Sequence, residues 1–225
     1  MSIPQDPENK YCGTCRDDLN GRDWEEEGCT SAALFGHLEC LKFAFENGSK
    51  LTKATASSAA KSGSVECLQF IHDNKGEWDE FTAVLAAFKG SVDCLRYAHE
   101  NKCPWNKSVP STAAAHNNLE CLKYCHENGC PWDKDTTKRA CEITGGIECL
   151  KYAYENGCPM TSFAILVALK SNKMDCAEYI VKNAKAEEYD IDKCEAKALF
   201  PPTMIDVLKD LVEALKKKLL PQKDE

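Results

Sequence analysis

The sequence has no long hydrophobic run, and this absence limits the kind of protein it can encode. No stretch approaches 18 uncharged apolar residues, so we expect no membrane-spanning helix. The opening residues, MSIPQDPENKY, lack a charged region followed by an apolar run, so we also expect no secretory signal. Both absences favour an intracellular, cytoplasmic protein.

Basic residues are in the minority. The 225-residue chain has 28 Lys and Arg against 36 Asp and Glu, giving a net charge of −8. General binding to nucleic acid or to an anionic membrane surface needs the opposite balance, so we expect no nucleic-acid partner and no membrane insertion. Apolar residues form 43 % of the chain, which is enough for a sizeable core and argues against a disordered chain.

Common catalytic motifs are also missing. The sequence has no phosphate-binding glycine loop, no nucleophile elbow and no HExxH pair. Its carboxylates recur once per repeat on a face expected to be solvated, and its histidines fall on repeat positions or turns. We therefore predict that the chain is not an enzyme and has no catalytic residue and no cofactor.

What the sequence does contain is an internal repeat. Six anchor cysteines follow one another at steps of 27 or 28 residues: Cys40, Cys67, Cys94, Cys121, Cys149 and Cys176. The residue two before each anchor is apolar, the residue one after it is Leu in five copies, and the residue three after it is aromatic. These offsets lie on one stripe of a helix, so we predict a helix around each anchor.

A second, shorter helix is predicted before each anchor helix. Its mark is a pair of small residues, as in Ala59-Ala60 and Ala86-Ala87, and a short glycine-containing turn joins the two helices. An Asn stands seven residues after every anchor and is followed by Gly in three copies. Asn-Gly predicts a left-handed helix end. Each repeat is thus a helix–turn–helix unit that can bury its apolar stripe only against stacked neighbours.

The segment Gly36-His37-Leu38-Glu39-Cys40-Leu41-Lys42-Phe43-Ala44-Phe45-Glu46-Asn47-Gly48 resembles the second helix of an ankyrin repeat. The Ala-Ala pairs are similar to the first ankyrin helix, and the likeness covers about 24–187. The repeat resembles the short, Cys-rich type with the pattern LECLKYAHENGCPW. It is six residues shorter than the usual ankyrin repeat of about 33 residues, and the missing part is where the β-hairpin belongs. The resemblance implies a protein-binding α-solenoid, and it implies a structural hydrogen bond for His37.

These observations predict an all-α fold, an α-solenoid of stacked ankyrin-like repeats without long β-hairpin fingers and with a C-terminal capping helix. We expect an N-terminal cap or degenerate half repeat over 1–23. Six repeats follow over 24–51, 52–78, 79–105, 106–132, 133–160 and 161–187. Residues 188–225 should form a linker and an amphipathic helix capped by Thr203, with an apolar stripe of Ile205, Leu208, Val212, Leu215 and Leu219.

Fifteen cysteines are unusual for a chain of this length. Nine of them fall on two repeat positions, the anchor and the residue nine further on, where a buried cysteine serves as a small hydrophobic residue. Anchors on adjacent helices should lie about 10 Å apart, too far for a disulfide. This spacing again favours a reducing compartment.

Two sets of cysteines invite comparison with zinc sites. The set Cys94, His99 and Cys103 recurs one repeat later, but its His becomes Tyr154 in the fifth copy, and a structural site needs four converging ligands. The pair Cys12 and Cys15 could be half of a zinc site completed by Cys29 and His37, a redox pair, or plain cap cysteines. We favour plain cap cysteines and predict no metal ligand.

The partner surface is predicted on the first helices, which line the inner side of a helix-pair solenoid. At the two positions just before the turn the residue type varies from repeat to repeat, while the neighbouring positions keep the repeat pattern. Several residues there are apolar or aromatic although the pattern does not require it. We call this set the first-helix face: Leu34, Phe35, Lys61, Phe88, Lys89, His116, Glu142 and Ile143. Ordinary packing within the stack is the competing interpretation of these residues.

We therefore predict a non-enzymatic scaffold or adaptor that binds a protein partner along the first-helix face. The alternative is a structural subunit of a larger assembly, docked through its C-terminal helix or its acidic N-terminal cap. Residues 1–27 hold eight acidic and three basic residues, which suits either a solvated cap or a surface for a basic partner. The chain would be a monomer or a subunit of such an assembly.

Overall fold

The computed structural model describes residues 12–18, 24–142, 144–185 and 201–219. Within these ranges the chain is helical and contains no β-strand, which confirms the predicted all-α class without hairpin fingers. The helices are α1 Gly13–Asp18, α2 Trp24–Leu34, α3 Leu38–Glu46, α4 Lys53–Ser62, α5 Val65–Asp73, α6 Glu80–Lys89, α7 Val92–Glu100, α8 Ser108–Ala115, α9 Leu119–Glu127, α10 Lys134–Ala140, α11 Ile147–Glu155, α12 Ser162–Lys170, α13 Met174–Asn183 and α14 Pro202–Leu219.

The chain divides into two compact units, Met1–Val109 and Pro110–Glu225, and the division falls within α8. In the first unit, α2 packs on α4 and α4 packs on α6 through their small-residue pairs, while α3, α5 and α7 pack in a second row. In the second unit, α10 packs on α12, and α9, α11 and α13 follow one another in the same way. Each unit therefore buries its apolar stripes between neighbouring helix pairs, as a repeat fold requires.

The pair α4 and α5 shows how the sequence sets the ends of its helices. Thr52 and Thr55 form a capping box at the start of α4, and Gly63 ends that helix in the left-handed conformation at φ 87°. Ser64 then begins α5, where its side chain accepts a hydrogen bond from the Cys67 N–H. These caps satisfy backbone groups that a helix leaves unpaired, so a short turn suffices between the two helices.

The anchor cysteines occupy the core as predicted. All six are buried, with at most 3 % of the residue exposed, and the residues that follow them are buried too, including Leu68, Leu95 and Leu150. In the described residues fourteen cysteines are free thiols, and only Cys12 is not buried; Cys194 lies outside them. Cysteine in this chain is therefore chiefly a packing residue.

The Asn that recurs at the end of each anchor helix uses its side chain as well as its backbone, which the sequence alone did not indicate. The Asn47 amide donates to the carbonyl oxygen of Phe43 at 2.8 Å, and the other five repeats have the same bond. The left-handed residue is the one that follows. It is glycine in the three predicted Asn-Gly pairs, but Lys75 and Lys102 adopt it in the second and third repeats.

In three repeats a Trp follows the second helix and stacks on a histidine of that helix. The rings of His72 and Trp78 lie 4.4 Å apart, and those of His99 and Trp105 lie 3.9 Å apart. In the second unit His126 and Trp132 repeat this stack at 4.2 Å. Each stack fixes the loop against its own helix pair.

Helix α14 packs on α13 and closes the second unit, as the predicted capping helix should. Its stripe is buried at Ile205, Leu208, Val212 and Leu215, and the Lys218 ammonium lies 2.8 Å from a Glu178 carboxylate oxygen. The helix begins at Pro202, so Thr203 lies inside it and the prediction that Thr203 caps the helix is wrong. Proline suits the first helical turn, because N–H groups there have no acceptor within the helix and the one that proline lacks is not needed.

Among the described helices, none combines the length and the apolar composition needed to cross a membrane.

Candidate functional site

Three cysteines and one histidine converge at the N-terminal end of the first unit. The ligand atoms of Cys12, Cys15, His37 and Cys40 all lie within 4.8 Å of one another. His37 Nδ1 is 3.1 Å from Cys12 Sγ and 3.2 Å from Cys15 Sγ, and the two sulfurs are 3.4 Å apart. We call these four residues the cysteine–histidine cluster. Across the described ranges, no other set of three or more His, Cys, Asp or Glu side chains is so placed.

Two short local motifs bring the cluster together. Cys12 stands just before α1 and Cys15 lies in its first turn, so two residues separate the thiols. His37 is the N-cap of α3, and Cys40 comes three residues later, one turn into the helix. A spacing of three places both members of each pair on one side of their helix start, and the two pairs face each other across α1 and α3.

The histidine is in a position that serine occupies in the next two repeats. Ser64 and Ser91 cap α5 and α7, each accepting a hydrogen bond from the N–H of its anchor cysteine. His37 has no such capping hydrogen bond. Its imidazole instead stacks on Phe35, at 6.0 Å between centroids, with Nδ1 toward the sulfurs. The structural hydrogen bond that the ankyrin resemblance implies for His37 is thus replaced by contacts to cysteine.

Backbone contacts hold the cluster in place. The Cys12 N–H donates to Cys40 Sγ at 3.2 Å, and the buried Ser31 hydroxyl donates to the Cys15 carbonyl oxygen at 3.1 Å. Ser31 belongs to α2, so this second bond fixes α1 to the first repeat. Cys15 and Cys40 are buried, Cys12 is half-buried and His37 is exposed, which leaves the cluster open to solvent on one side.

The surroundings raise the pKa of two of the three thiols and lower that of the third. Burial raises the pKa of Cys15 and of Cys40 above the ordinary value, and nearby thiols add to the rise for Cys15. Burial also acts to raise the pKa of Cys12, but hydrogen bonds with Cys15, Cys40 and His37 outweigh that effect and lower this pKa to about 7. Three thiols and an imidazole in this arrangement can hold a soft metal ion.

The structure brings together only part of the ligand set that the sequence suggested around Cys12 and Cys15. His37 does join Cys12 and Cys15, but Cys29 does not, since its Sγ lies 3.5 Å from the Ser49 carbonyl oxygen. Cys40 takes the fourth place. It went unrecognised because its repeat role already explained it, although the Cys-x-x-Cys and His-x-x-Cys spacings carried the signal.

The structure does not bring the set Cys94, His99 and Cys103 together. The His99 ring faces Trp105, and Cys103 Sγ donates to the Asp79 carbonyl oxygen at 3.2 Å. Burial raises the pKa of Cys103 to about 12. This thiol stays protonated at neutral pH and serves packing.

The first-helix face was predicted from the sequence, and its members can be located in each unit. In the first unit, Leu34 and Phe35 lie at the end of α2, Lys61 in the last turn of α4, and Phe88 and Lys89 in the last turn of α6. These ends lie side by side because α4 packs on both α2 and α6. Phe35 and Phe88 are 38 % and 41 % exposed, and the Phe35 ring also stacks on His37.

The remaining members belong to the second unit. His116 follows α8 and is half-buried, with its Nδ1 3.1 Å from the Thr112 carbonyl oxygen. Glu142 follows α10 and is also half-buried, with a carboxylate oxygen 3.3 Å from an Arg139 guanidinium nitrogen. Ile143 lies outside the described residues. The predicted residues in this unit thus have polar contacts of their own.

Sequence reasoning missed the most exposed large hydrophobic residue of the described chain. Phe81, in the first turn of α6, is 60 % exposed. The equivalent residues in the preceding and the following repeat are Ala54 and Ser108, so an aromatic residue at this position breaks the repeat pattern. That departure was the available signal.

Comparison with known proteins identifies the architecture. The fold is that of an ankyrin-type helical repeat protein. The crystal structure of the human ASB11 ankyrin repeat domain is similar, with a TM-score of 0.60 and 16 % sequence identity over 80 % of this chain and 96 % of that one. No protein-family model matches the sequence, and no curated protein matches it. The match confirms the ankyrin-like fold, while the short Cys-rich repeat type stays a prediction.

Proposed function

We propose that the chain is a non-enzymatic protein-interaction module whose first-helix face in the first unit binds a segment of a partner protein. The ankyrin-type fold supports this general role, because repeat proteins present a row of equivalent surface positions to their partners. The observation that carries the finer assignment is the pair of exposed rings, Phe35 and Phe88, at the ends of α2 and α6.

The charges around these rings indicate the chemistry of the partner. Lys61 and Lys89 are exposed at the ends of α4 and α6, beside the phenylalanines. Lys89 also reaches toward α4, since a Cβ built on Gly63 would lie 3.3 Å from its Cγ. An aromatic and cationic surface suits a segment with an apolar side chain flanked by Asp or Glu, because aromatic anchors supply contact area and opposite charges favour the correct partner.

A peptide-display selection tests this assignment. The immobilised full-length protein would select from a random library, with counter-selection on the Phe35→Glu/Phe88→Glu variant. We expect enriched peptides with a large apolar residue beside acidic residues, and we expect their binding to fall in this variant and in Lys61→Glu/Lys89→Glu. The matched control is Phe81→Glu, which adds a charge at the opposite end of α6 and should leave binding unchanged.

The outcomes separate the proposal from its rivals. Enriched peptides that bind the double Phe variant as well as the wild type would remove the first-helix face as the binding surface. Peptides that lose binding only in Phe81→Glu would move the site to the first turns of the helices. Far-ultraviolet circular dichroism of each variant confirms that the helices remain folded.

A second candidate function is a structural subunit that docks through α14. This helix has an additional apolar stripe on its outer side, where Met204, Val207 and Leu211 are 38 %, 58 % and 39 % exposed. The stripe has the i, i+3, i+7 spacing of a helix–helix seam, and its occupant would be α14 of a second copy. Sedimentation equilibrium should then show a dimer that Val207→Glu/Leu211→Glu dissociates, whereas a monomeric wild-type chain would exclude this candidate.

The other docking surface considered from the sequence was the acidic N-terminal cap. Most of it, 1–11 and 19–23, lies outside the described residues, so it stays a prediction without structural support.

A further inference from the structure

The cysteine–histidine cluster has the composition and size of a tetrahedral metal site. Bonds of about 2.3 Å from zinc to sulfur place neighbouring ligand atoms of a tetrahedron about 3.8 Å apart. The three distances among Cys12, Cys15 and His37 are 3.1 to 3.4 Å, and all four ligand atoms fall within 4.8 Å. Ligand shifts of a few tenths of an ångström would therefore centre an ion among them.

The donor set favours a soft or borderline metal ion. Three thiolates and an imidazole suit Zn²⁺, whereas Mg²⁺ and Ca²⁺ require oxygen ligands. Four protein ligands leave no open position, which is the arrangement of a structural site. The Cys12 N–H that points at Cys40 Sγ provides the kind of outer hydrogen bond that orients a ligand and stabilises its charge.

The same features distinguish Cys40 from the anchors of the next two repeats. At Cys67 and Cys94 a serine caps the helix and hydrogen-bonds to the anchor's own N–H. At Cys40 a histidine replaces that serine, its ring points at two sulfurs, and a Cys-x-x-Cys segment lies across the helix start. Repeat packing alone accounts for the buried anchor, but it does not account for an imidazole nitrogen within 3.2 Å of two cysteine sulfurs.

We propose that Cys12, Cys15, His37 and Cys40 bind one Zn²⁺ ion that fastens α1 to the first helix pair. Terminal repeats lack a neighbour on one side and need a cap. Helix α1 has only six residues and is too short to be stable by itself. A metal bond from α1 to the start of α3 closes the first unit at its open end. The site adjoins the partner surface proposed above, because the His37 ring stacks on Phe35, but zinc binding itself requires no partner.

Metal binding to the intact chain tests the proposal directly. The protein would be purified in a reducing buffer, stripped with a chelator, desalted, and titrated separately with Zn²⁺ and Co²⁺. We expect one Zn²⁺ per chain by elemental mass spectrometry. We also expect the visible absorption of tetrahedral Co²⁺ and a sulfur-to-metal charge-transfer band, since thiolates ligate the ion.

Matched cysteine variants locate the site. Cys12→Ser and His37→Ala alter the two less buried ligands and should abolish stoichiometric binding while circular dichroism shows intact helices. Cys67→Ala changes the equivalent anchor of the second repeat, and Cys29→Ala removes the cysteine that the sequence offered as a possible third ligand but that lies outside the cluster. Both should retain one Zn²⁺ per chain.

A structural role has a separate readout in amide hydrogen exchange. Chelation should increase exchange in α1 and in the first turn of α3, with α6 and α7 unchanged. The proposal is overturned if the folded wild type retains no Zn²⁺ and no Co²⁺, or if Cys12→Ser and His37→Ala bind as the wild type does. An intact mass showing a Cys12–Cys15 disulfide that persists in the reducing buffer would overturn it as well.

Discussion

His126 Nδ1 lies 3.0 Å from the hydroxyl oxygen of Tyr152, one helix pair further along the chain. The same histidine stacks on Trp132, whose ring meets Tyr152 edge to face at 6.4 Å. The first unit repeats this triad with His72, Trp78 and Tyr97. A polar bond therefore joins adjacent helix pairs outside the apolar core.

Removal of the tyrosine hydroxyl should weaken this junction. We expect Tyr152→Phe to lower the free energy of unfolding by about 0.5–1.5 kcal/mol, the net contribution of a typical hydrogen bond, because the phenyl ring keeps its contact with Trp132. Urea unfolding followed by circular dichroism measures the change. Tyr154→Phe is the matched control, since its hydroxyl is 3.4 Å from the Asn183 carbonyl oxygen and should contribute less. Equal losses in the two variants would contradict this role of the triad.

Thr82 offers a position where removal of a polar atom should do no harm. Its hydroxyl is buried and has no hydrogen-bond partner, and the equivalent residue one repeat later is Val109. We expect Thr82→Val to leave stability unchanged or raise it by up to about 1 kcal/mol, because an unpaired buried hydroxyl loses its hydration without compensation. Thermal and urea unfolding provide the measurement.

Thr55 is the matched control for that substitution, because its hydroxyl is paired. It lies 2.9 Å from the Thr30 hydroxyl and caps α4 together with Thr52. Thr55→Val should therefore cost about 1 kcal/mol. A loss of similar size at Thr82 would mean that its hydroxyl has a partner after all.

The buried thiols should make the fold sensitive to alkaline pH. Burial raises the pKa of Cys149 from 9.0 to about 12, so the unfolded chain releases this proton at a lower pH than the folded chain does. The associated stability is complete below about pH 9 and is lost as pH rises toward 12. For one such thiol the loss at pH 10 is about 1 kcal/mol.

Urea unfolding at pH 8 and pH 10 tests this dependence with Cys149→Ala as the partner variant. The alanine variant should be less stable than the wild type at pH 8, because a small cavity replaces the sulfur. Its free energy of unfolding should, however, fall less between pH 8 and pH 10. An equal pH response in both proteins would show that Cys149 does not contribute.

Lys75 occupies a position better suited to glycine. Its φ is 63°, the left-handed conformation that a side chain disfavours, and it follows Asn74 where other repeats have Asn-Gly. We expect Lys75→Gly to raise the free energy of unfolding by about 0.5–1 kcal/mol. Lys61→Gly, in the last turn of α4, should have the opposite sign because glycine weakens a helix. A destabilised Lys75→Gly variant would show that the lysine side chain contributes more than the strain costs.

The repeat architecture could be predicted from the sequence because its determinants are local. The stripe around each anchor repeats six times, the small pair occurs in five copies and the glycine turn in four, so each copy strengthens the interpretation of the others. Helix α14 was predicted from its local apolar stripe, and it starts earlier than the predicted Thr203 cap because Pro202 serves as its first helical residue.

The cysteine–histidine cluster could not be assembled in the same way. It depends on α1 lying across the start of α3, which is a tertiary contact between segments more than twenty residues apart. Cys40 also fitted the repeat as an anchor, and that fit hid its second role. The stacking of Trp78, Trp105 and Trp132 on histidines was not predicted either, because the helix periodicity says nothing about where the following loop folds back.

These stacks give the protein internal optical probes. An indole held face to face with an imidazole has an emission that differs from that of a solvated indole, so opening of a helix pair changes the fluorescence of its own Trp. Trp78 and Trp105 report on the first unit, and Trp132 reports on the second. Substituting Trp132 by Phe leaves tryptophans only in the first unit, and substituting Trp24, Trp78 and Trp105 together leaves Trp132 alone. The loss of structure in each unit could then be followed separately without an attached dye.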